Sequence, residues 1–239
     1  MKNLKLAAVC LSCLTMTGCS ALNFSVEGLI NAPKLTSEQS EIHQALIESV
    51  GSNITLKYPK NGEYRSAYVI ANIDDEPADE AMVFYEYTSN GSEEDGLRVN
   101  ILDKDEDGKW YSVKELAGAG TDIDQVIISP MGSNNQTDVF VGYQNLTNDE
   151  KTMEIYSYTD GDFKRVALDT YSVLEPLDIN NDGYIELITI QRSTNNDTGA
   201  VTAKASMLNM KNDEITRGEN VDMCDNVTSY VSSKTGMLD

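Results

Sequence analysis

The stretch Asp178-Ile-Asn180-Asn-Asp182-Gly183-Tyr184-Ile-Glu186 sets oxygen-bearing side chains at alternate positions and ends on a further acid. Alternation lets Asp178, Asn180 and Asp182 converge inside a tight loop. Gly183 permits the sharp turn, the Tyr184 carbonyl can point inward, and Glu186 closes the shell from the start of the next strand. About five hard oxygen donors with three formal negative charges favour Ca2+, whereas Mg2+ prefers stricter octahedral geometry and retained water. One structural calcium ion is the expectation here. The plainer alternative is an Asx-rich turn satisfied by its own backbone.

Three other stretches compare with it. Asn72, Asp74, Glu76 and Glu80 repeat the spacing, but Pro77 replaces the glycine and Glu76 an aspartate, so they form a weaker metal candidate. Pro130, Gly132 and Asn134 occupy the ligand positions of a third loop, where no ion is expected. Asp103-Lys-Asp105-Glu-Asp107-Gly108 opens in the same way, but Tyr111 and Lys114 stand where closing acids belong. It reads as a solvated hairpin turn, with Trp110 after it as a core or inter-blade residue. The spacing is similar to that of an EF-hand loop. However, the closing acid of the 178–186 stretch sits at the ninth position, Thr189 sits at the twelfth, and the flanks read as strands.

Those flanks belong to a pattern that runs through most of the chain. A helix opens it: Thr36 or Ser37 can cap, Gln39 offers a capping-box partner, and Ile42, Leu46 and Val50 make one apolar stripe with Ala45 beside it. Gly51 stops it. His43, the single histidine, lies next to the stripe and is expected to serve packing. After Gly51 the period changes to two. Ile54–Tyr58 alternates, and further strands are expected at Ala67–Ile73, Glu80–Tyr87, Leu97–Leu102, Trp110–Leu116, Gln125–Ser129, Asp138–Tyr143, Met153–Tyr158, Phe163–Ala167, Val173–Leu177, Glu186–Gln191, Val201–Asn209 and Glu214–Thr216. Asn90-Gly91, Asp107-Gly108, Gly132–Asn135, Asp160-Gly161 and Asn212-Asp213 stand between them as turn signals. The class is all-β, mostly antiparallel, with one N-terminal helix.

Self-similarity organises these strands. Ser66–Phe84 aligns with Ser172–Ile190 without a gap, so that Glu80 falls on Glu186. A weaker copy at Val126–Phe140 puts Asp138 at the same place. These acids are 58 and 48 residues apart, room for about four short strands per unit, the content of one β-propeller blade. The last loop, Asp178 to Leu187, resembles the FG-GAP or VCBS-type repeat of integrin α-subunit propellers and many bacterial surface proteins. The resemblance covers roughly residues 64–216. It implies a partial β-propeller of about three blade-like, four-stranded units, calcium that stabilises the fold, and binding loops on one face. Closed propellers have about four to eight blades. Three units therefore imply open edges, or a chain truncated inside a fourth unit.

The N-terminal end points to a location. Lys2 and Lys5 precede the apolar run Leu6–Leu14, which is too short to span a bilayer, and Met16-Thr17-Gly18-Cys19 follows. This resembles the signal peptide and lipobox of bacterial lipoproteins. The implied organisation is a leader over 1–18, a tether over 19–34 acylated at Cys19, and a repeat domain over 35–239, held at the outer side of a cell membrane by acyl chains such as palmitate. Cys10 and Cys13 leave with the leader, so Cys224 alone remains and no internal disulfide can form.

Composition narrows the partners. The formal charge is −21, and losing Lys2 and Lys5 takes it to −23. Such a surface repels nucleic acid and suits divalent cations or basic partners. One histidine leaves no Ser-His-Asp or Cys-His arrangement, and no H-E-x-x-H, phosphate loop or G-x-S-x-G occurs. Nothing singles out a carboxylate pair for glycan hydrolase or lyase chemistry. The expectation is a non-catalytic binding or adhesion module for an unknown protein or glycan. The alternative is an envelope assembly component whose open sheet edges pair with a partner.

Overall fold

The computed structural model describes residues 35–88, 96–131, 136–145, 150–179, 181–195, 197–211, 214–218 and 221–222. The expected leader over 1–18 and tether over 19–34 with Cys19, together with Cys224 and the turn signals at Asn90-Gly91, Gly132–Asn135 and Asn212-Asp213, lie outside these residues.

Helix α1 (Ser37–Val50) buries Ile42, Ala45 and Leu46, which fall on one face. Gly51 ends it at φ +85°, its N–H donating to Ile47 O at 2.9 Å. Strands then run β1 (Ile54–Leu56), β2 (Tyr68–Ala71), β3 (Glu80–Tyr87), β4 (Leu97–Lys104), β5 (Trp110–Ala117), β6 (Asp122–Ser129) and β7 (Asp138–Gln144). β8 (Lys151–Thr159), β9 (Asp162–Tyr171), β10 (Val173–Leu177), β11 (Glu186–Thr194), β12 (Val201–Lys211), β13 (Glu214–Arg217) and β14 (Val221–Asp222) follow.

All pairings are antiparallel, and they make three sheets in chain order. In the first, β2 and β1 share one edge of β3, at Tyr68↔Val83 and Leu56↔Tyr85, and β4 and β5 continue outward. In the second, β6, β7, β8 and β9 follow one another. In the third, β10, β11 and β12 are followed by β13 and β14, which share the far edge of β12. Each sheet is thus a meander of four strand positions. This is the blade-like unit expected from the repeat, and none closes into a barrel.

Strand alternation decides what each face buries. In β3, Ala81, Val83 and Tyr85 pack with Ile42, Leu46 and Trp110 under α1. Met82 and Phe84 point the other way and meet Val139, Val141 and Tyr143 of the second sheet. Phe140, Met153 and Ile155 then pack against Leu174, Leu187 and Leu208 of the third. The order of layers is helix, first sheet, second sheet, third sheet. Trp110 is a core residue as expected, with Lys104 Nζ 4.4 Å above its ring. His43 Nδ1 lies 2.8 Å from the Tyr68 hydroxyl and fastens α1 to the first sheet. Burial first, then the nearby Tyr58, pushes the Tyr68 hydroxyl up to about 12.

Candidate functional site

The three aligned acids do the same thing in the three sheets. Glu80 Oε2 accepts the N–H of Ile73 at 2.8 Å, Asp138 Oδ2 that of Met131 at 3.0 Å, and Glu186 Oε2 that of Ile179 at 2.9 Å. Each bond spans seven residues. It ties the first residue of the second strand to the loop that leads into it, and where the acid is ionised the bond is stronger than a neutral one.

In the third sheet the rest of the loop is built on carboxylates too. Asp178 Oδ1 accepts from Asp182 N–H at 3.1 Å and its Oδ2 from Gly183 N–H at 3.0 Å. Asp182 Oδ1 accepts from Tyr184 N–H at 2.9 Å. Asn181 at φ 59° and Gly183 at φ +90° provide the left-handed steps that turn these amides inward. Asp178, Asp182 and Glu186 are therefore fixed on one short loop by four backbone amides. Asn180 lies outside the described residues. Among the described residues, no three His, Cys, Asp or Glu side chains are gathered as a cation cage. The donors fit calcium by kind, being hard anionic oxygens already oriented by the chain.

The other two loops differ. In the first sheet, Asn72 Nδ2 donates to the Ala78 carbonyl at 2.9 Å and also to that of Glu76. Asp74 Oδ1 accepts from Glu76 N–H at 2.7 Å. Glu80 is only 1 % exposed, and its Oε1 has no partner. Burial, then the charges of Asp74 and Asp103, push its carboxyl up to about 7, against the lowering pull of the Ile73 N–H. In the second sheet, Ser157 Oγ donates to Asp138 Oδ1, so a hydroxyl serves the acid there; Gly132 and Asn134 lie outside the described residues. The Asp103–Trp110 stretch is a hairpin turn between β4 and β5. Asp105 Oδ1 accepts from Asp107 and Lys109 N–H at 3.0 and 2.8 Å, and Gly108 takes φ +77°.

A second constellation is not visible as a motif. Asp124 sits in β6 at 2 % exposure. Asn61 Nδ2 donates to its Oδ1 at 2.8 Å, Lys151 Nζ lies 2.8 Å from the same atom, and the Tyr171 hydroxyl donates to its Oδ2 at 2.7 Å. Burial, then the Asp124 charge, hold the Tyr171 hydroxyl well above its ordinary range. A Cβ at Gly142 would overlap that hydroxyl, so only glycine lets Tyr171 reach Asp124. Here the signal in the sequence is an isolated glycine inside the apolar strand Asp138–Gln144. The network floors a cleft of about 470 Å³ between the 61–64 segment, β6 and β10. No family model, curated protein or solved structure matches this chain.

Proposed function

We propose that the chain is an extracytoplasmic lipoprotein, tethered to a membrane by acyl chains on Cys19. Its propeller-like repeat domain, stabilised by calcium, serves as a non-catalytic binding or adhesion module. The observation that carries the ion is the Asp178–Glu186 loop, where the amides of residues 179, 182, 183 and 184 hold three carboxylates on one turn. The resemblance of this loop to FG-GAP repeats supports the same reading. Asp178, Asn180, Asp182, the Tyr184 carbonyl and Glu186 would hold the ion. Bound to the native loop alone, it would add stability by mass action, about 2.7 kcal/mol at a hundredfold excess over Kd.

A melting curve tests this. Calcium should raise the Tm by roughly 5–10 °C relative to chelator, given a shift of about 2–4 °C per kcal/mol in a domain of this size. Asp182→Ala should remove most of the rise. Superimposable curves with and without chelator would refute the ion. For the tether, Cys19→Ser should release the protein from membrane fractions, and unchanged retention of that variant would count against acylation. A second reading, an envelope assembly component, is favoured by Leu177 and Ile179, which stand half-exposed beside the same loop on the third sheet.

A further inference from the structure

The cleft beside Asp124 is walled by two edge strands. Among the described residues, β6 pairs only with β7, and β10 only with β11. A bulge between Ile123 and Gln125 sets the phase of the β6 backbone. Within it the Asp124 carbonyl accepts Asn61 N–H at 2.7 Å, and past the end of β6 the Pro130 carbonyl accepts Ile185 N–H at 3.1 Å, both on the side away from β7. Alternation then turns the main-chain groups of Val126 and Ile128 the same way. A Cβ on Gly62 would stand 3.7 Å from Val126 O, in agreement. The chain itself therefore closes this edge at 124 and 130, and Val126 is buried. Ile128 is left with its N–H and C=O toward the cleft.

The remaining lining defines what would fit. Leu174, Pro176 and Ile185 are apolar. Pro176 has no N–H, so it donates no main-chain hydrogen bond to an occupant. The exposed Glu63 lines the cleft as well, while the Lys151 charge is engaged by Asp124. The cleft volume suits a short segment and not a folded partner.

We propose that this cleft binds a short extended peptide. The peptide pairs with the β6 edge at Ile128 through its main chain and sets a Lys or Arg side chain against Glu63. The inference rests on the binding-module reading, and not on the ion or the tether. The test is titration of the isotope-labelled full chain with acetyl-Val-Lys-Val-Lys-amide, its glutamate counterpart and a backbone N-methylated form.

The lysine peptide should shift the amide resonances of Ile127, Ile128 and Ser129. N-methylation should weaken binding at least about tenfold, a loss of roughly 1.4 kcal/mol. Glu63→Gln should weaken the lysine peptide by a similar factor while leaving the Tm unchanged. Silence of those amides at millimolar peptide overturns the proposal, as does equal binding of the N-methylated or the glutamate peptide. If a glycan array captures the domain while no peptide moves Ile128, the peptide assignment falls and the binding-module reading stands.

Discussion

Glu80, Asp138 and Glu186 show how one residue position can be kept while its surroundings diverge. Each accepts the amide seven residues before it, so the loop-to-strand tie is common to the three sheets. The second carboxylate oxygen decides the rest. At Asp138 a serine hydroxyl serves it. At Glu80 it is buried without a partner, and the carboxyl is raised to about 7. Because the folded value lies above the unfolded one, near 4.5, the neutral form is the one folding favours. The contribution of Glu80 to stability is therefore fullest below about pH 4.5, falls as pH rises toward about 7, and is level above that. Glu80→Gln keeps an oxygen for the Ile73 amide and removes the charge. It should be more stable than wild type at about pH 8 and no more stable at about pH 4.5, measured as urea midpoints in chelator. Parallel pH profiles for the two proteins would show that Glu80 is not the group responsible.

At the scale of elements, much was legible because it is local. Period-two runs located the strands, Gly51 and Gly108 marked a helix end and a hairpin, and the Ile42–Leu46 stripe found its sheet. Edges moved by a few residues, as where β6 starts at Asp122, because ladder hydrogen bonds extend past the apolar run. What was not legible depends on distant contacts. That β1 and β2 share one edge of β3 follows from tertiary pairing, and the short β14 carries no pattern of its own. The Asp124 network joins residues 61, 124, 151 and 171, which nothing local connects. Gly142 was its one visible trace. Gly142→Ala should cost about 1–3 kcal/mol by overpacking against Tyr171. Tyr171→Phe removes the overlapping hydroxyl, so the double variant should be less destabilised than the sum of the two singles. Strict additivity would mean that the glycine does not make room for Tyr171.

The layered order of the whole molecule predicts that equivalent residues carry unequal weight. Ile73, Met131 and Ile179 occupy the same place in the three sheets, each donating its amide to the acid seven residues on. Their side chains are 1 %, 7 % and 51 % exposed. Ile73 is buried in the core shared by the first and second sheets, and Met131 in that shared by the second and third. Among the described residues, no fourth sheet follows to cover Ile179. This one hydrogen bond is thus held constant while burial varies. Truncation at Ile73 or Met131 leaves a cavity between two sheets and should cost about 2–5 kcal/mol. Ile179→Ala removes a side chain already half in water and should change stability by no more than about 0.5 kcal/mol. Urea midpoints of the three alanine variants, with unchanged m-values, measure the difference. A loss at Ile179 as large as that at Ile73 would mean that its side chain is covered in solution. The outer face of the third sheet would then be an interior surface, and the stack of layers would continue beyond it.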